Sequence, residues 1–90
     1  MPSWPPVWTK GSTQTDRQTV RGNVGILKYV HFFGPRSNKC FLVIEHEGVH
    51  FVGTLIFDDV AFCRQIADLL RDYIGHSIKE IGDLDLSHTL

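Results

Sequence analysis

The sequence predicts an α+β domain: a three-stranded antiparallel meander packed on one long α-helix, with a short C-terminal helical turn and strand. Three observations carry this expectation. Apolar residues alternate from Val20 to Phe57 and are interrupted by two turn-forming stretches, 34–38 and 46–48. One amphipathic stretch follows, with Asp58-Asp59 before it and Gly75 after it. The chain has 90 residues, 42% hydrophobic and 21% charged, which suits one packed domain.

Residues 1–19 read as an arm preceding a single domain over 20–90. Residues 1–8 hold three of the four prolines and both tryptophans. Trp4-Pro5-Pro6 favours an extended course, because each proline fixes its own φ and restricts the residue before it. Residues 9–19 contain no apolar side chain and read as a polar linker. Large aromatics at a terminus are costly to leave in water. The arm is therefore either a tail or a segment docked, through Trp4, Val7 and Trp8, on an apolar sheet face of its own chain or a partner's.

The first strand spans Val20 to Phe33, with Gly22 and Gly25 marking a bulge or bend near its start. Gly34 to Asn38 is a turn by composition. Cys40–Glu45 and Val49–Phe57 then form a hairpin around His46-Glu47-Gly48, for which a type I turn with Gly48 as a G1 bulge is natural. That turn pairs Glu45 with Val49, Val43 with Phe51 and Phe41 with Gly53. It places Phe41, Val43, Val49, Phe51, Leu55 and Phe57 on the core face. The opposite face, with Leu42, Ile44, Val52 and Ile56, is also apolar, and one helix covers only one of the two.

Asp58 or Asp59 suits the N-cap of a helix over 60–74 that Gly75 terminates. Phe62, Ile66, Leu69 and Tyr73 form one stripe; Val60, Cys63, Ala67, Leu70 and Ile74 form the next. Together they span about half the circumference, more than the ~100° a surface helix needs. Ser77-Ile78-Lys79-Glu80 has the form of a capping box and predicts a helical turn. Asp83 to Ser87 alternates and predicts a short edge strand.

Charge is segregated along the chain. Residues 1–39 carry six Lys/Arg against one acid, and residues 40–90 carry three against nine, so the net charge of −1 combines a basic half with an acidic one. Such asymmetry points to a polyanion partner or to halves that attract each other. No stretch has the length of a transmembrane helix, and the N-terminus lacks the pattern of a secretion signal. Cys40 and Cys63 lie in apolar segments and read as buried free thiols. The expectation is a cytoplasmic protein that does not contact membrane and needs no cofactor.

Several constellations carry possible chemistry. Lys28, Arg36 and Lys39, beside Tyr29, His31, Phe32 and Phe33, supply cations for phosphates and rings for bases, the ingredients of single-strand binding. No RNA-recognition or zinc-knuckle motif accompanies them. Glu45, His46, Glu47 and His50 at the hairpin tip have ligand chemistry, but alternation divides them between faces, so no metal site is assigned. Cys40 or Cys63 with a histidine could form a nucleophile and base. Neither sits at a glycine-rich elbow or a helix start, and no catalytic residue is assigned. Asp58-Asp59 is explained by capping, and the 34–39 loop lacks phosphate-loop spacing.

The stretch Gly53 to Cys63, followed by Gly75 to Asp85, resembles small uncharacterised bacterial proteins of the kind carried as mobile (integron) gene cassettes. The resemblance covers the C-terminal half. It implies a bacterial cytosolic origin and brings no activity, cofactor or site residue.

The free sheet face and the wide helical stripe together lead to a homodimeric, non-catalytic binding or adaptor module. It would recognise a protein segment or a small apolar ligand through Trp4, Trp8, Tyr29, Phe33 and Tyr73. The alternative is nucleic-acid binding through Lys28, Arg36 and Lys39. A third reading is a small enzyme, which needs a His–carboxylate or Cys–His pair converging in a pocket.

Overall fold

The computed structural model describes residues 4–10 and 18–82. Among these residues, five strands form one antiparallel sheet: β1 (Trp8–Lys10), β2 (Thr19–Val20), β3 (Ile26–Phe32), β4 (Lys39–His46) and β5 (Val49–Ile56). Their spatial order is β2-β1-β5-β4-β3. Two helices, α1 (Val60–Arg71) and α2 (Ile78–Gly82), share one core with a single sheet face. The shortest dimension of the molecule, 18 Å, is that of one sheet and one layer of helix.

This corrects the expected three-stranded meander on a long helix. The molecule is mostly sheet, and α1 is only 12 residues long. The two additional strands come from the stretch read as arm and linker together with Val20, the expected start of the first strand, which begins instead at Ile26 as β3. β1 pairs with β5 on one side and β2 on the other, and packing against Gly53 explains why. A Cβ at Gly53 would lie 2.7 Å from the Trp8 ring and from Pro6, so the missing side chain leaves room for both. Trp8 is fully buried there, and its indole donates to the Gly22 carbonyl at 3.1 Å. The expected edge strand over 83–87 lies outside the described residues.

The β4–β5 register also differs by one residue from the expected one. Glu47 and Gly48, at φ 53° and 77°, form a two-residue turn of type I′ character, so Glu45 pairs with His50 and Ile44 with Phe51. Cys40, Leu42 and Ile44 therefore face the core, and Phe41 and Val43 face away. Left-handed backbone costs a non-glycine residue roughly 1–2 kcal/mol. Against that cost, the turn matches the twist of the strands and sets Glu45 opposite His50 rather than Val49.

In β3 the register shifts between Leu27 and Tyr29. Leu27 and Val30 are buried while Lys28 and Tyr29 are both exposed, as expected where a bulge inserts one extra residue. The start of β3 is also anchored on its outer edge. Gly75 N–H donates to the Leu27 carbonyl at 2.8 Å, and Leu27 N–H donates to the His76 carbonyl at 3.0 Å.

Asp59 caps α1, its carboxylate accepting from Ala61 N–H at 3.0 Å. Phe62, Cys63, Ile66, Ala67 and Leu70 are the buried residues of the helix. Tighter turns follow it, Tyr73 N–H reaching the Leu70 carbonyl at 3.0 Å, and Ile74 is left exposed beyond the helix end. Asp68 pairs with Arg71 at 2.7 Å. Arg64 lies over the Phe32 ring, 5.9 Å from its centroid. The capping box forms as its sequence indicates, with Glu80 N–H donating to Ser77 Oγ at 3.2 Å.

Candidate functional site

Because both helices occupy one side, the other face of the sheet is covered by none of the described elements. β3 sends Tyr29 and His31 to it, with Phe33 just beyond the strand end, and β4 sends Phe41 and Val43. β5 contributes Val52, Thr54 and Ile56. The pairing sets these side by side: Tyr29 opposite Val43, Val43 opposite Val52, His31 opposite Phe41 and Phe41 opposite Thr54. Tyr29, Phe33 and Ile56 are 49%, 53% and 57% exposed, values that belong to unpacked side chains rather than a core.

The rings on this face touch one another. His31 lies at the centre, with ring centroids 4.9 Å from Phe41, 5.1 Å from Phe33 and 6.1 Å from Tyr29; Phe33 and Phe41 are 4.8 Å apart. The aromatic ladder is thus held by its own edge and face contacts. One end of the face is polar. Glu45 lies 3.6 Å from His50 and 3.9 Å from Lys28, beyond hydrogen-bond range in both cases. Lys39, at the opposite end of β4, is exposed and has no ion-pair partner among the described residues. Arg36 is exposed in the loop between β3 and β4.

Of the residues singled out from sequence, Tyr29 and Phe33 come together here. Trp4 and Tyr73 are partly buried against the core, and Trp8 is inside it. The Trp4 indole N–H is buried with no hydrogen-bond partner among the described residues. Lys28 and Lys39 stand at opposite ends of the open face. His31 and Phe41 complete its centre, and Phe41 was expected inside. The signal that could have turned it outward was the Glu45–His50 pair, which favours the two-residue turn.

The remaining constellations do not converge. Both cysteines are buried. Burial foremost, with Cys63 nearby, pushes the Cys40 thiol up from 9.0 to about 12, and burial raises Cys63 as well. At neutral pH a pKa of about 12 leaves a thiolate fraction on the order of 10⁻⁵. At the hairpin tip, Glu45 and His50 share the open face, while His46 meets Glu47 at 3.8 Å in the turn. Among the described residues no three His, Cys, Asp or Glu side chains gather in a metal-ligating group. His76 and Ser77 are engaged with the Glu80 carboxylate, at 2.9 and 3.2 Å, as part of the α2 cap. Among the same residues no helix is long and apolar enough to cross a membrane.

Compared with family models, curated proteins and solved structures, the chain matches none of them.

Proposed function

We propose that this chain is a non-catalytic binding module that acts as a homodimer, with the open face of its sheet as the recognition surface. The observation that carries this reading is the aromatic and aliphatic composition of that face. Half-exposed side chains of this size leave on the order of 500 Å² of mostly apolar surface there, near the upper end of what monomers show. Exposed tyrosine and phenylalanine are also the residues most enriched in interfaces. The titratable groups argue in the same direction: the thiols are buried and held protonated, and the His–carboxylate pairs lie on the surface, at the hairpin and in the α2 cap. In this reading, a protein segment or small apolar ligand is recognised where Tyr29 and Phe33 reach the rim of the paired faces.

Native mass spectrometry of protein purified without refolding tests the proposal, because one spectrum reports assembly mass and any retained ligand. A dimer is expected. A monomer whose spectrum carries no bound mass, with binding properties unaltered by Tyr29→Ala and Phe33→Ala, would overturn it.

A second reading is favoured by one observation: Lys28, Arg36 and Lys39 are exposed around a sheet face that presents Tyr29, His31, Phe33 and Phe41. Stacking rings beside phosphate-binding cations form a surface for single-stranded nucleic acid. This reading requires oligonucleotide affinity that falls steeply with salt. Binding that is absent, or indifferent to salt, removes it.

A further inference from the structure

The geometry points to one arrangement of that dimer: a second copy packs face to face on the open sheet, with the two-fold axis running across the strands so that β4 lies antiparallel over its partner's β4. The inference rests on the binding-module reading and adds the occupant's orientation. We derive it from area, shape and charge.

The face is of the size a stable pair needs. Its roughly 500 Å² of exposed apolar side chains, with the polar rim added, approaches the ~800 Å² per partner of a standard interface. Two such faces in contact are sheet-on-sheet packing, which keeps the strand directions within about 30° of each other.

Two symmetric ways to stack the sheets remain, and charge decides between them. The outward residues of β4 are Lys39, Phe41, Val43 and Glu45, six positions from end to end or about 20 Å. With the axis along the strands, each end of β4 meets the same end of its partner. Lys39 then faces Lys39, and Glu45 faces Glu45. With the axis across the strands the ends exchange, and Lys39 of each copy meets Glu45 of the other. Lys39 has no ion-pair partner of its own among the described residues, and the contacts from Lys28 and His50 to Glu45 are longer than hydrogen bonds. Both groups thus have capacity for an intermolecular partner.

The same operation matches shape. It sets the large Phe41 over the small Val43, Tyr29 over His31 and Val52 over Thr54, reciprocally in both copies as a two-fold interface requires. No large aromatic from β4 meets its own image. The alternative, which lays β3 over the partner's β5, would place Phe41 on Phe41 and His31 on Thr54.

Sedimentation equilibrium on the full chain tests this with Lys39→Glu, Glu45→Lys and the double exchange. Both positions lie at the surface, and circular dichroism verifies that each variant is folded. The wild type is expected to dimerise. Each single reversal should weaken the dimer about five- to tenfold, since symmetry places two like-charge contacts in each, and the double exchange should return it to within about twofold. The single-variant losses should shrink in 1 M salt, where screening acts over about 3 Å. A dimer whose double variant is as weak as its singles overturns the orientation while leaving the homodimer standing. A wild-type monomer at 100 µM overturns both.

Discussion

Gly53 and Trp8 make one packing arrangement from two residues far apart in the chain. Trp8 is buried because Gly53 has no side chain to oppose it, and the Pro6 ring closes the same space. Gly53→Ala places a methyl 2.7 Å from the Trp8 ring. It is expected to cost about 1–3 kcal/mol, as overpacking does. Trp8→Ala is expected to cost about 3–5 kcal/mol. In the Trp8→Ala background the alanine at 53 should cost less, because the Trp8 ring is gone and only the Pro6 ring still opposes it. Urea denaturation of the four proteins at one concentration gives the coupling, and additive losses would refute it. The buried thiols make a second expectation at this scale. In the fold Cys40 stays protonated up to about 12, whereas the unfolded chain ionises near 9.0. The Cys40 contribution is therefore complete below about pH 9 and falls above it, by about 1.4 kcal/mol per pH unit. Comparing urea midpoints at pH 8 and 10.5 for wild type and Cys40→Ala isolates the effect, since only the wild type retains the Cys40 contribution. Equal slopes would show that this thiol is not desolvated.

At the scale of elements, what the sequence made legible depended on whether a local signal had a competitor. The α2 turn was legible because Ser77 and Glu80 bond each other and need nothing else. Asp59 was likewise one of two named caps for α1. The β4–β5 register was not legible, because both faces of the hairpin are apolar and alternation scores either register well. The core-facing set Cys40, Leu42 and Ile44 is settled only by the helix above it and the turn below. β1 and β2 were missed for a related reason: strands of two or three residues with one apolar side chain each, Trp8 and Val20, carry no alternation to read, and their pairing follows from the docking of Trp8. Of the candidate site, Tyr29 and Phe33 were legible and Phe41 was lost with the register. The capping box itself yields a pH expectation. Hydrogen bonds first from His76 and then from Ser77 hold the Glu80 carboxyl below its ordinary 4.5. The contribution is thus present above about 4.5 and lost as pH falls through the lowered value. Ser77→Ala should cost about 1 kcal/mol at pH 7. Glu80→Gln should flatten the acid limb of the stability profile. An unchanged acid limb in Glu80→Gln would show that the cap does not titrate.

Across the whole molecule, the charge segregation visible along the sequence becomes a difference between two surfaces. Lys28, Arg36 and Lys39 stand around the open face with Glu45 as the acid among them, and α1 and its caps carry exposed Asp59, Asp68 and Asp72 with Arg64 and Arg71 on the other side. That mixed-charge side keeps the helices solvated, and the open face is left as the surface that gains most from being covered. If a second copy covers it, folding and association are linked, and thermal stability must rise with protein concentration. For two chains of this length, a tenfold increase should raise Tm by about 3–4 °C. Val52 lies mid-face and is 38% exposed, so Val52→Glu costs an isolated chain little. In the dimer it buries a carboxylate against the partner's Thr54 without a cation to meet it. The variant should therefore lose the concentration dependence while keeping the dilute wild-type Tm to within a few degrees. Scanning calorimetry from 5 to 500 µM measures both quantities. A wild-type Tm that does not move over that range, or a Val52→Glu variant that keeps the full slope, would place the interface elsewhere or remove it.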